Sequence, residues 1–218
     1  MHAIPDYTPM TSSELLDIRA AWHPSTSPTW KQFTYRKVDL FDMYWVDCAH
    51  VIRDQSFDGR YYEDVHIPAA HEDFEPILSP MRMLELGIFG NSYFGSMKED
   101  TIYPLGRERA LLMPQNRPFD TYEAFDKPNW KTALFKRKAS STREWWMERD
   151  LIADCDPLGQ FEWYCWYWLG RRIPAEDNHQ VKRWLNFRKR QSAMLESNRA
   201  VGLQQALLHW SCDAWVHL

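Results

Sequence analysis

Glycine is scarce: 8 in 218 residues. Collagen and flexible glycine-rich linkers are excluded, because both need far more. The sequence motifs of phosphate cradles are missing too, which leaves such a cradle weakly supported. GIFGNSYFG (87–95) has glycines at 87, 90 and 95, but neither G-x-G-x-x-G nor the G-K-[ST] ending of a P-loop. It predicts a turn in which backbones approach closely. No Gly-x-Ser-x-Gly elbow is present. The four cysteines, Cys48, Cys155, Cys165 and Cys212, form no C-x-x-C pair, so neither a disulfide framework nor a zinc ribbon is expected. No apolar run approaches a membrane span. The opening MHAIPDYTPM lacks the basic and apolar regions of a signal peptide. These absences predict a reduced, soluble, cytoplasmic protein with no membrane partner.

Aromatic rings are abundant: 12 Trp, 10 Tyr and 11 Phe. Coiled coil and disorder do not use so many. Nine of the tryptophans lie between Trp130 and Trp215. Charge is uneven as well. The net charge is −4, but residues 1–109 carry −7 and residues 110–218 carry +3. Positive charge concentrates from Lys127 to Arg149 and from Arg171 to Arg199. A globally basic nucleic-acid binder is excluded, whereas a local phosphate-attracting patch is not.

The fold class expected is mainly α: a compact C-terminal helical bundle with an irregular α+β N-terminal part. The division expected is an acidic extension at 1–83 and a Trp/Arg-rich helical module at 84–218. A helix is predicted over 12–22 from the capping box Thr11/Glu14 and the stripe Leu15, Ile18, Trp22. Segment 32–52 fits a strand or a buried helix, and 53–78 reads as mostly loop. Ser79, Pro80 and Gly87 bound a helix at 80–86. Four prolines between 101 and 140 argue against long elements there. Ser141 and Glu144 form a second capping box. Asp156 with Pro157 predicts a helix start and Gly170 its end. Pro174 opens a helix over 175–197, and Leu203, Ala206, Leu207 and Trp210 mark another over 201–210. Short connections predict antiparallel neighbours.

The densest segment is DPLGQFEWYCWYWLGRR (156–172). Phe161, Tyr164, Cys165 and Trp168 form one helical stripe, and Trp163, Trp166 and Tyr167 another. Two readings follow. One is a core helix, apolar on all sides, with a basic C-terminal end. The other is a ligand-binding wall in which Trp163, Trp166 and Tyr167 stack bases while Arg171 and Arg172 hold phosphate. Lys182, Arg183 and Trp184 extend that second reading onto the next helix, whose basic residues also fit a solvated face.

Together with LELGIFGNSYF (84–94) and QQALLHW (204–210), this segment resembles a family of small open-reading-frame proteins. The family pattern runs G-V-F-G-G-K-Y, then D-P-x-G-W-F-x-W-Y-C-R-Y-Y-x-G-R-R, D-x-x-Q-I-x-R-W and Q-A-L-L-x-W. Asn91 and Ser92 stand where the family has Gly-Lys, Gln160 where it has Trp, and Trp166 where it has Arg. The resemblance implies one module over about 84–215 and, if the replaced Arg and Lys groups hold a ligand in the family, a changed ligand or none in this chain. It brings no established activity and points to no particular cofactor.

Catalytic candidates are few. Asp156 and Asp177 bracket the aromatic helix and fit either acid–base groups or helix starts. Asp64, His66 and His71 offer metal-ligand chemistry within an acidic stretch, but H-x4-H matches no zinc motif and also fits a surface loop. Cys165 reads as buried rather than nucleophilic. The leading expectation is a nucleic-acid or nucleotide partner on an aromatic, basic helical surface. The alternatives are a small-molecule enzyme with an aromatic pocket and Asp/His acid–base or metal chemistry, and an oligomeric assembly or interaction module, a homo-oligomer included.

Overall fold

The computed structural model describes residues 36, 38, 44–46, 71–93, 128–153, 155–156, 158–168, 170–198 and 200–215. They form β1 (Tyr44–Trp45), α1 (Pro80–Glu85), α2 (Arg143–Met147), α3 (Gln160–Trp168), β2 (Arg171–Arg172), α4 (Pro174–Ser197) and α5 (Val201–Leu208). The described chain is helix-rich with few strands, and its longer helices are C-terminal. None of these helices is long and apolar enough to cross a membrane. The helix expected at 12–22 lies outside the described residues, as do Asp64 and His66.

Local signals set α1. The Ser79 hydroxyl accepts from the Arg82 amide at 3.2 Å, Pro80 occupies the first turn, and Gly87 follows the end with φ +62°. Two boundaries are corrected. The cap of α2 is Thr142, whose hydroxyl accepts from the Trp145 amide at 3.3 Å, one residue later than Ser141. That helix ends after five residues, and Asp150 turns left-handed at φ +53°. Helix α3 begins at Gln160, not at Asp156–Pro157. The Asp156 carboxylate is taken by Arg171, and Gly159 at φ +97° turns the chain before the helix starts.

Helix α3 is the centre of the core, buried continuously from Phe161 to Trp168. The Phe74 ring meets Trp163, Tyr164, Tyr167 and Trp184 edge-on at 5.2–5.5 Å, the geometry that ring quadrupoles favour. Three of the polar tips meet a hydrogen-bond partner. The Trp163 indole donates to Asp177 at 2.9 Å, the Tyr164 hydroxyl donates to the Leu78 carbonyl at 2.6 Å, and the Tyr167 hydroxyl accepts from the His71 amide at 2.6 Å. These bonds remove the cost of burying polar groups.

Gly170 ends α3 at φ +103°, where a Cβ would meet the Val46 carbonyl oxygen. The vacant Cβ position lets β1 pair antiparallel with β2, Tyr44 opposite Arg172, with the Val46 amide donating to the Gly170 carbonyl at 2.8 Å. Pro174 then opens α4, and the Asp177 carboxylate reaches back to accept from the Ile173 amide at 2.8 Å. Helices α4 and α5 pack together through Trp184, which donates to the Trp210 carbonyl at 2.7 Å, and through the stacked rings of Phe187 and Trp210.

Candidate functional site

Most residues expected to bind a ligand lie in the core. Trp163, Trp166, Tyr167, Arg171, Arg172 and Trp184 are each 3% exposed or less. Rings this deep cannot stack a base from solvent, so the stacking wall on α3 is corrected to a core helix. The arginines are engaged as well. Arg171 grips Asp156 through two bonds of 2.9 and 2.5 Å, both side chains 1% exposed. Burial pulls the Arg171 guanidinium down, but the Asp156 charge, the hydrogen bonds to it and the neighbouring Cys155 and Asp177 together outweigh burial and hold the group above its ordinary range. Arg172 donates to the Tyr167 and Arg171 carbonyls and lies over the Tyr167 ring at 3.8 Å.

The catalytic candidates have structural partners too. Asp156 belongs to the Arg171 pair and accepts from the Cys155 thiol at 3.3 Å. Asp177 accepts from Trp163 and Ile173. Burial raises its carboxyl above the usual range, against those bonds. His71 accepts at Nδ1 from the Asp73 amide and bonds Asn178 through Nε2 at 3.0 Å. Among the described residues no three metal-ligating side chains come together. Cys155, Cys165 and Cys212 are buried free thiols, each pushed up by burial.

Arg183 is different, because it lines a cavity of about 600 Å³, within the usual range of small-molecule sites. The floor is buried: Phe89 and Ser92 from the turn after α1, Ile152, Phe161 at the start of α3, and His209 at the end of α5. The walls are half-buried rings: Trp130, Trp146 and Trp210, with Tyr93. The rim comes from 138–144, where Lys138, Ser141, Thr142 and Glu144 are exposed and Arg143 is half-buried. Among the described lining residues, three cations therefore face one carboxylate, Glu144. Glycine makes the floor turn possible. Gly90 has φ +67°, and a Cβ there would lie 2.9 Å from the Asn129 nitrogen, which brings 128–130 to the cavity.

The Arg183 guanidinium stands 5.9 Å from the Trp146 ring and 5.4 Å from Trp210. Its Nη1 donates to the Leu151 carbonyl at 2.8 Å and to Gln180 at 3.1 Å. Nε and Nη2 have no partner among the described residues. Burial, with Arg36 adding to it, lowers its pKa to about 10 against the opposing pull of Glu176, so it stays charged at neutral pH. His209 is 6% exposed and bonds the Ile88 carbonyl at 3.0 Å through Nε2. Burial lowers its pKa to about 4, so the ring is neutral at neutral pH.

Of the expected ligand residues, only Arg183 lines this cavity, while Lys182 is exposed on α4. Sequence reasoning missed Trp130, Trp146, Trp210, Arg143 and His209. The basic run 127–149 and the QQALLHW motif were the available signals. Fold and site together define a helix-rich protein with an aromatic, cation-lined cavity. Compared with family models, curated proteins and solved structures, the chain finds no match.

Proposed function

We propose that this is a nucleotide-interacting protein that holds one nucleotide, free or at the end of a nucleic-acid strand, in the cavity beside α2 and α3. The carrying observation is the meeting of three indoles with three cations in one space of about 600 Å³. Base stacking on an aromatic ring stabilises binding by about 1–3 kcal/mol. Arg143 and Lys138 at the rim and Arg183 on the wall are suited to phosphate oxygens, as are the hydroxyls of Ser141 and Thr142.

The test is titration of AMP, GMP, CMP and UMP, and of short single strands with and without a 5′-phosphate, followed by tryptophan fluorescence. Saturable quenching that weakens with salt is expected, and Arg143→Ala lowers affinity about tenfold. Tighter binding of phosphorylated strands assigns the site to strand ends; tighter binding of mononucleotides assigns it to the free ligand. No binding at low salt, or binding indifferent to salt, refutes the reading.

On the motif resemblance we also propose that 84–215 is one module whose C-terminal helices form a bundle, with 1–83 an irregular α+β addition. Two positions that depart from the family pattern, Ser92 and Gln160, line the cavity, which fits a changed ligand. The three buried free thiols support a reducing, cytoplasmic setting. Assembly through apolar surface has less support: the large apolar side chains exposed among the described residues are Trp145, Met194 and Val201.

A further inference from the structure

We infer that His209 selects the ligand: its Nδ1 accepts a hydrogen bond from an N–H group on an uncharged ring at the cavity floor, so the ligand enters ring first and leaves its phosphate at the rim. This deepens the nucleotide reading and rests on it.

The imidazole is fixed in place. It lies 6.1 Å from the Trp130 ring in a stacked arrangement and 5.0 Å from Phe89. A carbonyl only accepts, so the bond to Ile88 makes Nε2 the donor. In a neutral ring Nδ1 is then the acceptor, and it has no partner among the described residues. Burial, which lowers the pKa to about 4, keeps that lone pair available at neutral pH. A phosphate brought to it would meet an acceptor, not a donor, and would be repelled. An N–H group carried by the ring, such as an exocyclic amine, completes it instead. The cations suited to phosphate lie on the wall and the rim: Arg183, Lys138 and Arg143. Beside the floor the Ser92 hydroxyl, on a residue 2% exposed, also lacks a partner among the described residues. A hydrogen-bonding group without a partner among the described residues at the buried floor, the His209 Nδ1, is what a polar ring would satisfy.

The experiment compares AMP with purine riboside 5′-monophosphate, which keeps ring, sugar and phosphate but carries no N–H on the ring. Both are titrated into the full chain and into His209→Phe. The Ile88 carbonyl also accepts from Gln205 at 3.0 Å, so it stays bonded in that variant. The expected result is AMP binding about tenfold tighter than the analogue in the natural chain, and in His209→Phe a fall of AMP to the affinity of the analogue, which itself changes little. Equal affinity for the two ligands in the natural chain overturns the role of His209 and leaves the nucleotide reading standing. Undiminished preference for AMP in His209→Phe does the same. If the variant does not fold, the comparison in the natural chain decides alone. If neither ligand binds the natural chain, both readings are overturned.

Discussion

Replacing Arg171 by methionine tests whether this arginine holds the fold or a ligand. Its guanidinium and the Asp156 carboxylate share two hydrogen bonds, and each side chain is 1% exposed. Removing one partner leaves the other charge buried without its counter-ion, which costs about 3–5 kcal/mol. For a chain of this size each kcal/mol lowers the melting temperature by about 2–4 °C, so a fall of roughly 6–20 °C is expected. Asp156→Leu should fall by a similar amount. The double variant Arg171→Met, Asp156→Leu should recover much of the loss, because no unpaired charge remains and both replacements are apolar. Thermal unfolding followed by near-ultraviolet circular dichroism reads all three against the natural chain. A single variant within about 0.5 kcal/mol of the natural chain, as for a surface residue, refutes the buried pair.

Acid should act through His209. Its folded pKa is about 4 against an ordinary 6.5, so between these values the unfolded chain binds the extra proton. Its contribution is full above about pH 6.5 and is lost as pH falls, reaching about 3 kcal/mol near pH 4. The melting temperature of His209→Phe should therefore decline less between pH 6.5 and 4.5; equal slopes refute this. Gly170→Ala should destabilise by about 1–3 kcal/mol in urea unfolding, because φ is +103° and the added Cβ meets the Val46 carbonyl. A neutral result contradicts the close approach of β1 to α3.

Features set by near neighbours were legible in the sequence. Ser79, Pro80 and Gly87 act within one helical turn of α1, and Gly170 and Pro174 act the same way around β2. The two aromatic stripes of α3 were legible as a core helix, because rings on every side leave no solvent face. The competing ligand reading failed on information that spacing does not hold, namely what covers the helix. Asp156 shows the same limit. Its position before a proline matches a helix start, yet its partner lies fifteen residues away, on β2. The cavity was the least legible part. Its rings and charges come from separate stretches, 89–93, 128–146, 151–161, Arg183 and 209–210, and only the fold brings them together.

Ligand is expected to meet the cavity rings and not the buried rings Trp163, Trp166 and Trp184. Fluorine-labelled tryptophan, with each resonance assigned by single substitution, tests it during a titration with AMP. Shifts are expected at Trp130, Trp146 and Trp210, and none of comparable size at Trp163, Trp166 and Trp184. Shifts confined to the second set, or no shifts at saturating AMP, contradict it.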